Sequence, residues 1–304
     1  MLTVLDVAFN GNFALVATTE GIFLISRDGK VRSRSFKGIP DAVIRRRHAN
    51  GSETLSLRLG GVLYQVQSGP HGSPRLERGG GFFAGTQPFL HFGFYMASID
   101  VAPLRNVQMH ILDNLDSSDP KLDPSDPKIF CLLFENYDKQ MSSARLLFLS
   151  EEDRGHSYMD LDIRTECPPI DANRGIIAAA IMNSIWVGLA KARALVKLDG
   201  LTAEHETPET VTLDVLGQHL FCALRNHRDG RIRVLRVQIE PWLNSAPPHD
   251  RHLLKEGAME LPENLSASSS KRGITPLRIA PSGDWMVAQM SDILLAVSLN
   301  WEQS

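Results

Sequence analysis

Short apolar segments separated by tight polar turns recur along most of this chain. The clearest copy spans 277–299, where two turns, Pro281-Ser-Gly-Asp284 and Ser291-Asp292, divide three apolar segments. A second copy lies at 4–25, where Asn10-Gly-Asn12 and Glu20-Gly21 are the turns. Apolar runs bounded by Gly, Asn and Asp predict β-strands joined by hairpins. A three-stranded unit cannot bury both of its faces alone, so the repetition predicts units that pack against one another.

Seven such units can be placed along the sequence. In a chain of 304 residues they average about 43 residues each, the length of a four-stranded propeller blade. No regular helical segments alternate with the strands, which disfavours a βαβ fold. The sequence therefore predicts an all-β fold, a β-propeller of seven four-stranded antiparallel blades, with six or eight as alternatives. Residues 1–304 are predicted to form this single domain, with flexible loops at about 114–128 and 244–272.

The segment 176–198 permits two interpretations. Its Ala, Leu, Lys and Arg content is compatible with a helix, whereas Asn183-Ser184 is a plausible hairpin turn between two strands. The recurrence of a strand followed by Asp199-Gly200 favours strands.

The sequence at 277–292 resembles the WD40-like β-propellers. Its first strand, its Pro-Ser-Gly-Asp turn, its second strand and its Ser-Asp turn are similar to the inner strand, turns and second strand of that family. The resemblance extends to 4–25 and 219–239. The Trp-Asp dipeptide typical of the family is missing, and Gly155-His156 has no such partner, so the chain resembles a divergent member. The resemblance implies a rigid ring that presents loops to protein partners.

The last unit contains three strands, and its sequence offers no fourth. Either Met1 to Val4 completes this sheet, or its edge remains open to another chain.

The composition narrows the functional classes. A net charge of −3 gives no global field toward nucleic acid or an anionic membrane. Cys131, Cys167 and Cys222 are odd in number, and their spacing matches no zinc motif, which favours reduced thiols. With neither a signal sequence nor a membrane-spanning segment expected, we predict a cytoplasmic or nuclear protein that is not secreted.

The candidate partner-binding residues are Arg45, Arg46, Arg47, Trp242 and Trp301. The three arginines form the one dense basic run and are suited to phosphates or an acidic protein surface. The alternative is an exposed strand or loop whose charges discourage edge pairing. Nucleic-acid binding is the weaker reading because no aromatic residues for base stacking are interleaved. The two tryptophans lie at strand or chain ends, where they can act as binding anchors.

No catalytic, cofactor or metal-binding residues are predicted. His249-Asp-Arg-His252 lacks a third ligand, and the aspartates of 113–126 do not fit a calcium loop. The leading hypothesis is a non-catalytic scaffold, a propeller subunit that binds one or more proteins in a larger assembly. The alternatives are a propeller hydrolase or lactonase with a metal in its central channel, and a nucleic-acid-associated subunit.

Overall fold

The apolar segments form β-strands that pair into antiparallel sheets in chain order. A computed structural model describes thirteen stretches of the chain: residues 2–40, 42–48, 50–60, 62–68, 73–78, 107–113, 128–136, 141–149, 156–161, 169–189, 195–239, 254–261 and 273–301. Regular structure within these stretches is entirely β-strand, so no helix there is long and apolar enough to cross a membrane.

The first half of the chain supplies sheets A and B. Sheet A contains β1 (Val4–Asn10), β2 (Phe13–Thr18), β3 (Gly21–Ser26) and β4 (Val31–Ser35). Sheet B contains β5 (Ala42–Arg47), β6 (Glu53–Leu59), β7 (Val62–Ser68), β8 (Pro74–Arg78), β9 (Val107–Asp113), β10 (Lys128–Asn136), β11 (Met141–Leu149) and β12 (His156–Leu161).

The second half supplies sheets C, D and E. Sheet C contains β13 (Ile170–Asn173), β14 (Ile176–Ile181), β15 (Ser184–Leu189) and β16 (Val196–Lys197). Sheet D contains β17 (Glu206–Leu213), β18 (His219–Asn226), β19 (Ile232–Gln238) and β20 (Leu254–Glu260). Sheet E contains β21 (Thr275–Ile279), β22 (Trp285–Met290) and β23 (Ile293–Ser298).

Strand order is sequential in every sheet except sheet B. There the order is β12-β11-β10-β9-β5-β6-β7-β8, and β5 runs parallel to β9 with Val43 opposite His110. Sheet B is thus two antiparallel groups of four strands, joined through the first strand of each. The first strands of neighbouring groups also pack together elsewhere: β1 contacts β5 and β21, and β17 contacts β13 and β21. This all-β arrangement is consistent with a β-propeller-like fold.

Within 176–198, the segment that was compatible with a helix, the described residues contain three strands, β14, β15 and β16. Ile176–Ile181 and Ser184–Leu189 pair as a hairpin, with Ile181 opposite Ser184. Met182, at the turn, has a φ of 53°. Positive φ at this point matches the twist of a two-residue hairpin, so the turn residues outweigh the helix propensity of the flanking alanines.

Apolar side chains fill the spaces between the sheets. Phe9 of sheet A and Trp285 of sheet E meet edge to face, with ring centroids 4.9 Å apart. Leu15 and Leu57 lie in the layer between sheets A and B, and Leu220 belongs to the layer between sheets C and D. Each sheet is therefore held by burial against its neighbours as well as by its own hydrogen bonds.

Sheet E has three strands within the described residues. The chain before β1 touches this sheet without joining it as a strand: the Leu2 N–H donates to the Asp292 carboxylate over 2.7 Å, and the Gln289 amide donates to the Leu2 carbonyl over 2.8 Å. Val4 pairs with Thr18 in sheet A instead. The outer edge of β23 is left without a described neighbouring strand.

Candidate functional site

Six charged side chains are buried together where sheets A, B, C and E meet. None of the six is more than 10% exposed. Three are cations and three are carboxylates, so their formal charges cancel. We call this set the ion cluster; its members are Asp6, Arg45, Arg47, Glu53, Asp171 and Arg278.

Arg278, on β21, joins the two fully buried carboxylates of the cluster. Its two terminal nitrogens contact both oxygens of Glu53, one of them over 2.7 Å, and Nη2 lies 3.2 Å from Asp171 Oδ1. Nη1 also donates to the Val7 carbonyl over 2.8 Å. The guanidinium carbon lies 5.6 Å from the centre of the Phe9 ring, close enough for a cation–π contribution. One side chain thus ties β21 to three other strands.

Arg45 and Arg47 both reach Asp171 from β5. Arg47 Nε donates to Glu53 over 2.8 Å, and its Nη2 donates to Asp171 over 2.7 Å. Arg45 Nη2 lies 3.1 Å from Asp171, and Nη1 lies 3.4 Å from Asp6. Asp171 therefore contacts all three guanidinium groups, and these contacts offset the cost of burying a carboxylate.

Backbone groups of β1 and β17 also bind the ion cluster, and β17 adds sheet D to it. The Phe9 N–H donates to Glu53 over 2.9 Å, and the Leu213 N–H donates to Asp171 over 2.8 Å. Arg47 Nη1 donates in turn to the Leu213 carbonyl over 3.1 Å. One hydrogen-bonded network therefore includes groups from strands of all five sheets.

The network favours the charged forms of Glu53 and Arg278. Burial alone raises the pKa of Glu53, but the charges of Arg278 and Arg47 outweigh it and hold that pKa well below its usual range. Burial likewise lowers the pKa of Arg278, while Glu53 and Asp171 outweigh it and raise that pKa above its usual range. Both shifts favour the charged form of the group near neutral pH.

The alternation of side chains along β5 and its pairing with β6 explain why Arg45 and Arg47 lie on the buried face of this strand. Side chains two residues apart lie on one face of a strand, and Val43, Arg45 and Arg47 are each at most 5% exposed. Arg47 is in register with Glu53 on β6, which places their ion pair directly across the sheet.

The sequence-based expectation of an exposed basic strand therefore does not describe Arg45 and Arg47. Their guanidinium groups are committed to carboxylates of this chain, and no basic surface patch can include them. Arg46 lies between them on β5, in register with Thr54.

Trp301 is half-buried between sheets D and E. Its indole N–H donates to the Gly283 carbonyl over 2.6 Å, and its ring lies 6.1 Å from that of Phe221. The ring also covers Gly257 of β20. This side chain therefore packs at the interface between sheets D and E of the same molecule. Trp242 lies outside the described residues, as does 249–252.

A basic groove opens at the end of sheet A, beside the last residue of β23. It has a volume of about 830 Å³. Its apolar wall includes Leu24 and Phe13, which is 46% exposed. Ser298 forms the side that belongs to sheet E.

The charged residues of the basic groove are three cations and one carboxylate. Arg27 forms an ion pair with Asp284 over 2.6 Å, and Lys30 forms one with Asp28 over 2.7 Å. Arg32 is exposed. Hydrogen bonds from Lys30 and Ser26 lower the pKa of Asp28 to about 2, so this carboxylate is ionised near neutral pH.

Metal-binding geometry is not evident in the described part of the chain. No group of three or more His, Cys, Asp and Glu side chains there is arranged to hold an ion. Cys222 is a free, buried thiol.

Comparisons with known proteins give weak structural likenesses. No protein-family model and no curated protein matches the chain. Among solved structures, a chain of "Crystal Structure of Mitotic Checkpoint Complex" is 10% identical with a TM-score of 0.43, covering 97% of this chain and 76% of that one. A luciferin-regenerating enzyme is 9% identical with a TM-score of 0.48, covering 99% of this chain and 93% of that one.

Proposed function

We propose that this protein is a non-catalytic scaffold, a β-propeller subunit that binds other proteins within a larger assembly. The observation that carries the proposal is the ion cluster, in which the acidic groups at the meeting point of the sheets are bound by arginines. The proposal has two parts: a closed ring, and a centre that serves stability rather than chemistry.

The ring we propose has six blades formed by residues 1–304. The strands that begin successive groups are β1, β5, β9, β13, β17 and β21, and each packs against the next, with β21 contacting β1 again. Six blades was an alternative to the seven estimated from average spacing. The ion cluster supports closure because β1 and β21, the first and last of these strands, both contribute to it.

The centre is better suited to holding sheets together than to holding a metal. A catalytic divalent ion needs carboxylates or imidazoles with free lone pairs and an open coordination position. Glu53 and Asp171 instead accept bonds from arginines and from backbone N–H groups. A cation entering here would have to displace guanidinium groups that are themselves buried, which is strongly unfavourable.

Two measurements on the purified full chain test this function. Elemental analysis after purification without chelator, together with a hydrolysis assay on a panel of lactones, is expected to show neither bound metal nor turnover. Affinity purification from the native source, followed by cross-linking and mass spectrometry, is expected to recover a defined partner in fixed stoichiometry. Stoichiometric metal with lactone turnover would refute the scaffold proposal in favour of a propeller hydrolase, and a monomeric, partnerless protein would refute it outright.

A further inference from the structure

The outer edge of β23 offers hydrogen-bonding groups that no described strand uses. The Leu299 N–H donates to the Asp284 carbonyl over 2.8 Å, which fixes the alternation along the strand. Because hydrogen-bonded and non-hydrogen-bonded pairs alternate in an antiparallel ladder, Val297 and every second residue before it face β22. The backbone groups of Ala296 and Ser298 therefore point outward, away from the sheet.

The sequence of β23 lacks the features that normally protect an edge. It reads Ile-Leu-Leu-Ala-Val-Ser, without proline or charge. The outer strands of the first two groups differ: β4 carries Arg32 and Arg34, and β8 begins with Pro74 and carries three charges. Charges and proline discourage pairing at an edge. The composition of β23 is that of a strand with neighbours on both sides.

The basic groove meets this edge at Ser298 and adds charge selectivity. The charged residues that line it are Arg27, Lys30, Arg32 and Asp28. With Asp284, which forms an ion pair with Arg27, three cations face two carboxylates, a net charge of +1. Phe13 and Leu24 add apolar surface. An extended chain on β23 would therefore run past cations and apolar side chains, which favours alternating acidic and apolar residues.

We propose that β23 and the basic groove bind an extended acidic segment of a partner protein, which adds to sheet E as its fourth strand. The proposal rests on the scaffold function and specifies how the scaffold holds a partner. Backbone bonds to β23 supply affinity, and the cations of the groove select acidic sequences.

The test uses a fluorescein-labelled peptide of about eight alternating Glu and Val residues, a typical strand length. Its binding to the full chain is followed by fluorescence anisotropy at low and at high salt. We expect saturable binding that weakens as salt rises, because exposed charges are screened. The same peptide with Lys in place of Glu is expected to bind at least roughly tenfold more weakly.

Two matched pairs of variants separate the edge from the groove. Ser298→Pro removes an N–H that points outward and leaves the hydrogen bonds between β22 and β23 intact. It is expected to weaken binding of the acidic peptide roughly tenfold. Ser298→Ala keeps this N–H and is expected to keep the affinity. Arg32→Glu reverses a charge of the groove and is expected to weaken binding by at least about fivefold. Arg228→Glu makes the same reversal at an exposed turn of sheet D and is expected to leave binding unchanged.

Several outcomes overturn the proposal. It is wrong if the acidic peptide does not bind, if the Lys peptide binds equally well, or if the two Ser298 variants bind the acidic peptide with the same affinity. Dimerisation that Ser298→Pro abolishes would assign the edge to a second copy of this chain instead. If the native partner is recovered equally by wild type and Ser298→Pro, the edge proposal fails while the scaffold function stands; lactone turnover would refute the scaffold function independently of the peptide result.

Discussion

Replacing Arg278 with methionine is expected to cost about 3–5 kcal/mol of unfolding free energy. The substitution leaves three carboxylates facing two cations in a site where Glu53 and Asp171 are at most 2% exposed. Breaking a buried ion pair by removing one partner costs this much because the other charge stays buried and uncompensated. Methionine retains most of the aliphatic stem beside Phe9. The loss of unfolding free energy therefore measures the missing charge rather than a missing volume of side chain.

Adding Glu53→Gln to Arg278→Met restores the charge balance. The remaining members are Arg45 and Arg47 against Asp6 and Asp171, two of each sign. The double variant is therefore expected to be more stable than the sum of the single losses by about 2 kcal/mol, the coupling typical of residues in one network. Arg27→Met is the control, because Arg27 forms an ion pair with Asp284 at a side-chain exposure of 42% and exposed pairs contribute about 1 kcal/mol or less.

Urea unfolding followed by tryptophan fluorescence measures all four variants, since Trp285 contacts Phe9 next to the ion cluster. The reasoning is refuted if Arg278→Met costs no more than Arg27→Met. It is also refuted if the single losses add without coupling, because the two charges would then not be interacting in the folded protein.

Three further outcomes follow from the same contacts. The pKa of Glu53 is depressed on folding, so the unfolded chain takes up the proton first as pH falls below about 4.5. Stability then declines by up to about 1.4 kcal/mol per pH unit from this residue, and urea titrations of Glu53→Gln should lack that slope. Trp301→Ala is expected to cost about 2–3 kcal/mol by calorimetry, through lost packing and a lost bond to the Gly283 carbonyl; a change below about 1 kcal/mol would contradict its packing role at this interface. Gly283→Ala should destabilise more than Gly29→Ala by at least about 1 kcal/mol in the same assay. Both glycines have positive φ, but only at Gly283 would the added methyl collide with Phe221; equal losses would argue against that contact.

Much of the strand pattern was predictable because it depends on neighbouring residues. The turn at Ser291-Asp292 separates β22 from β23 at the predicted place, and Ser291 has the positive φ, 56°, of such a turn. The strand assignment of 176–189 followed from its turn in the same way. Hairpin registers are set locally by turn geometry, so a single sequence contains the information.

The face on which the arginines lie was not predictable by the same reasoning. Val43, Arg45 and Arg47 share one face of β5, and that shared face was the available signal that this strand buries charge. Whether the face points inward depends on Asp171 and Arg278, which lie more than 100 residues away in sequence. The spacing of turns in the sequence gave only an average length for each four-stranded group. The groups differ in length, since β1–β4 spans 4–35 and β9–β12 spans 107–161.

The order of the ion cluster along the chain has a consequence for synthesis on the ribosome. The first four members to be synthesised are Asp6, Arg45, Arg47 and Glu53. Asp171 follows 124 residues after Arg47, and Arg278 follows another 107 residues after Asp171. Between the synthesis of Asp171 and that of Arg278, the nascent chain holds three of these carboxylates and only two of the arginines, an imbalance that is costly to bury. The ion cluster can thus be completed only after Arg278 has been synthesised, and a product terminated before this residue would remain accessible to the proteases that remove unfolded chains.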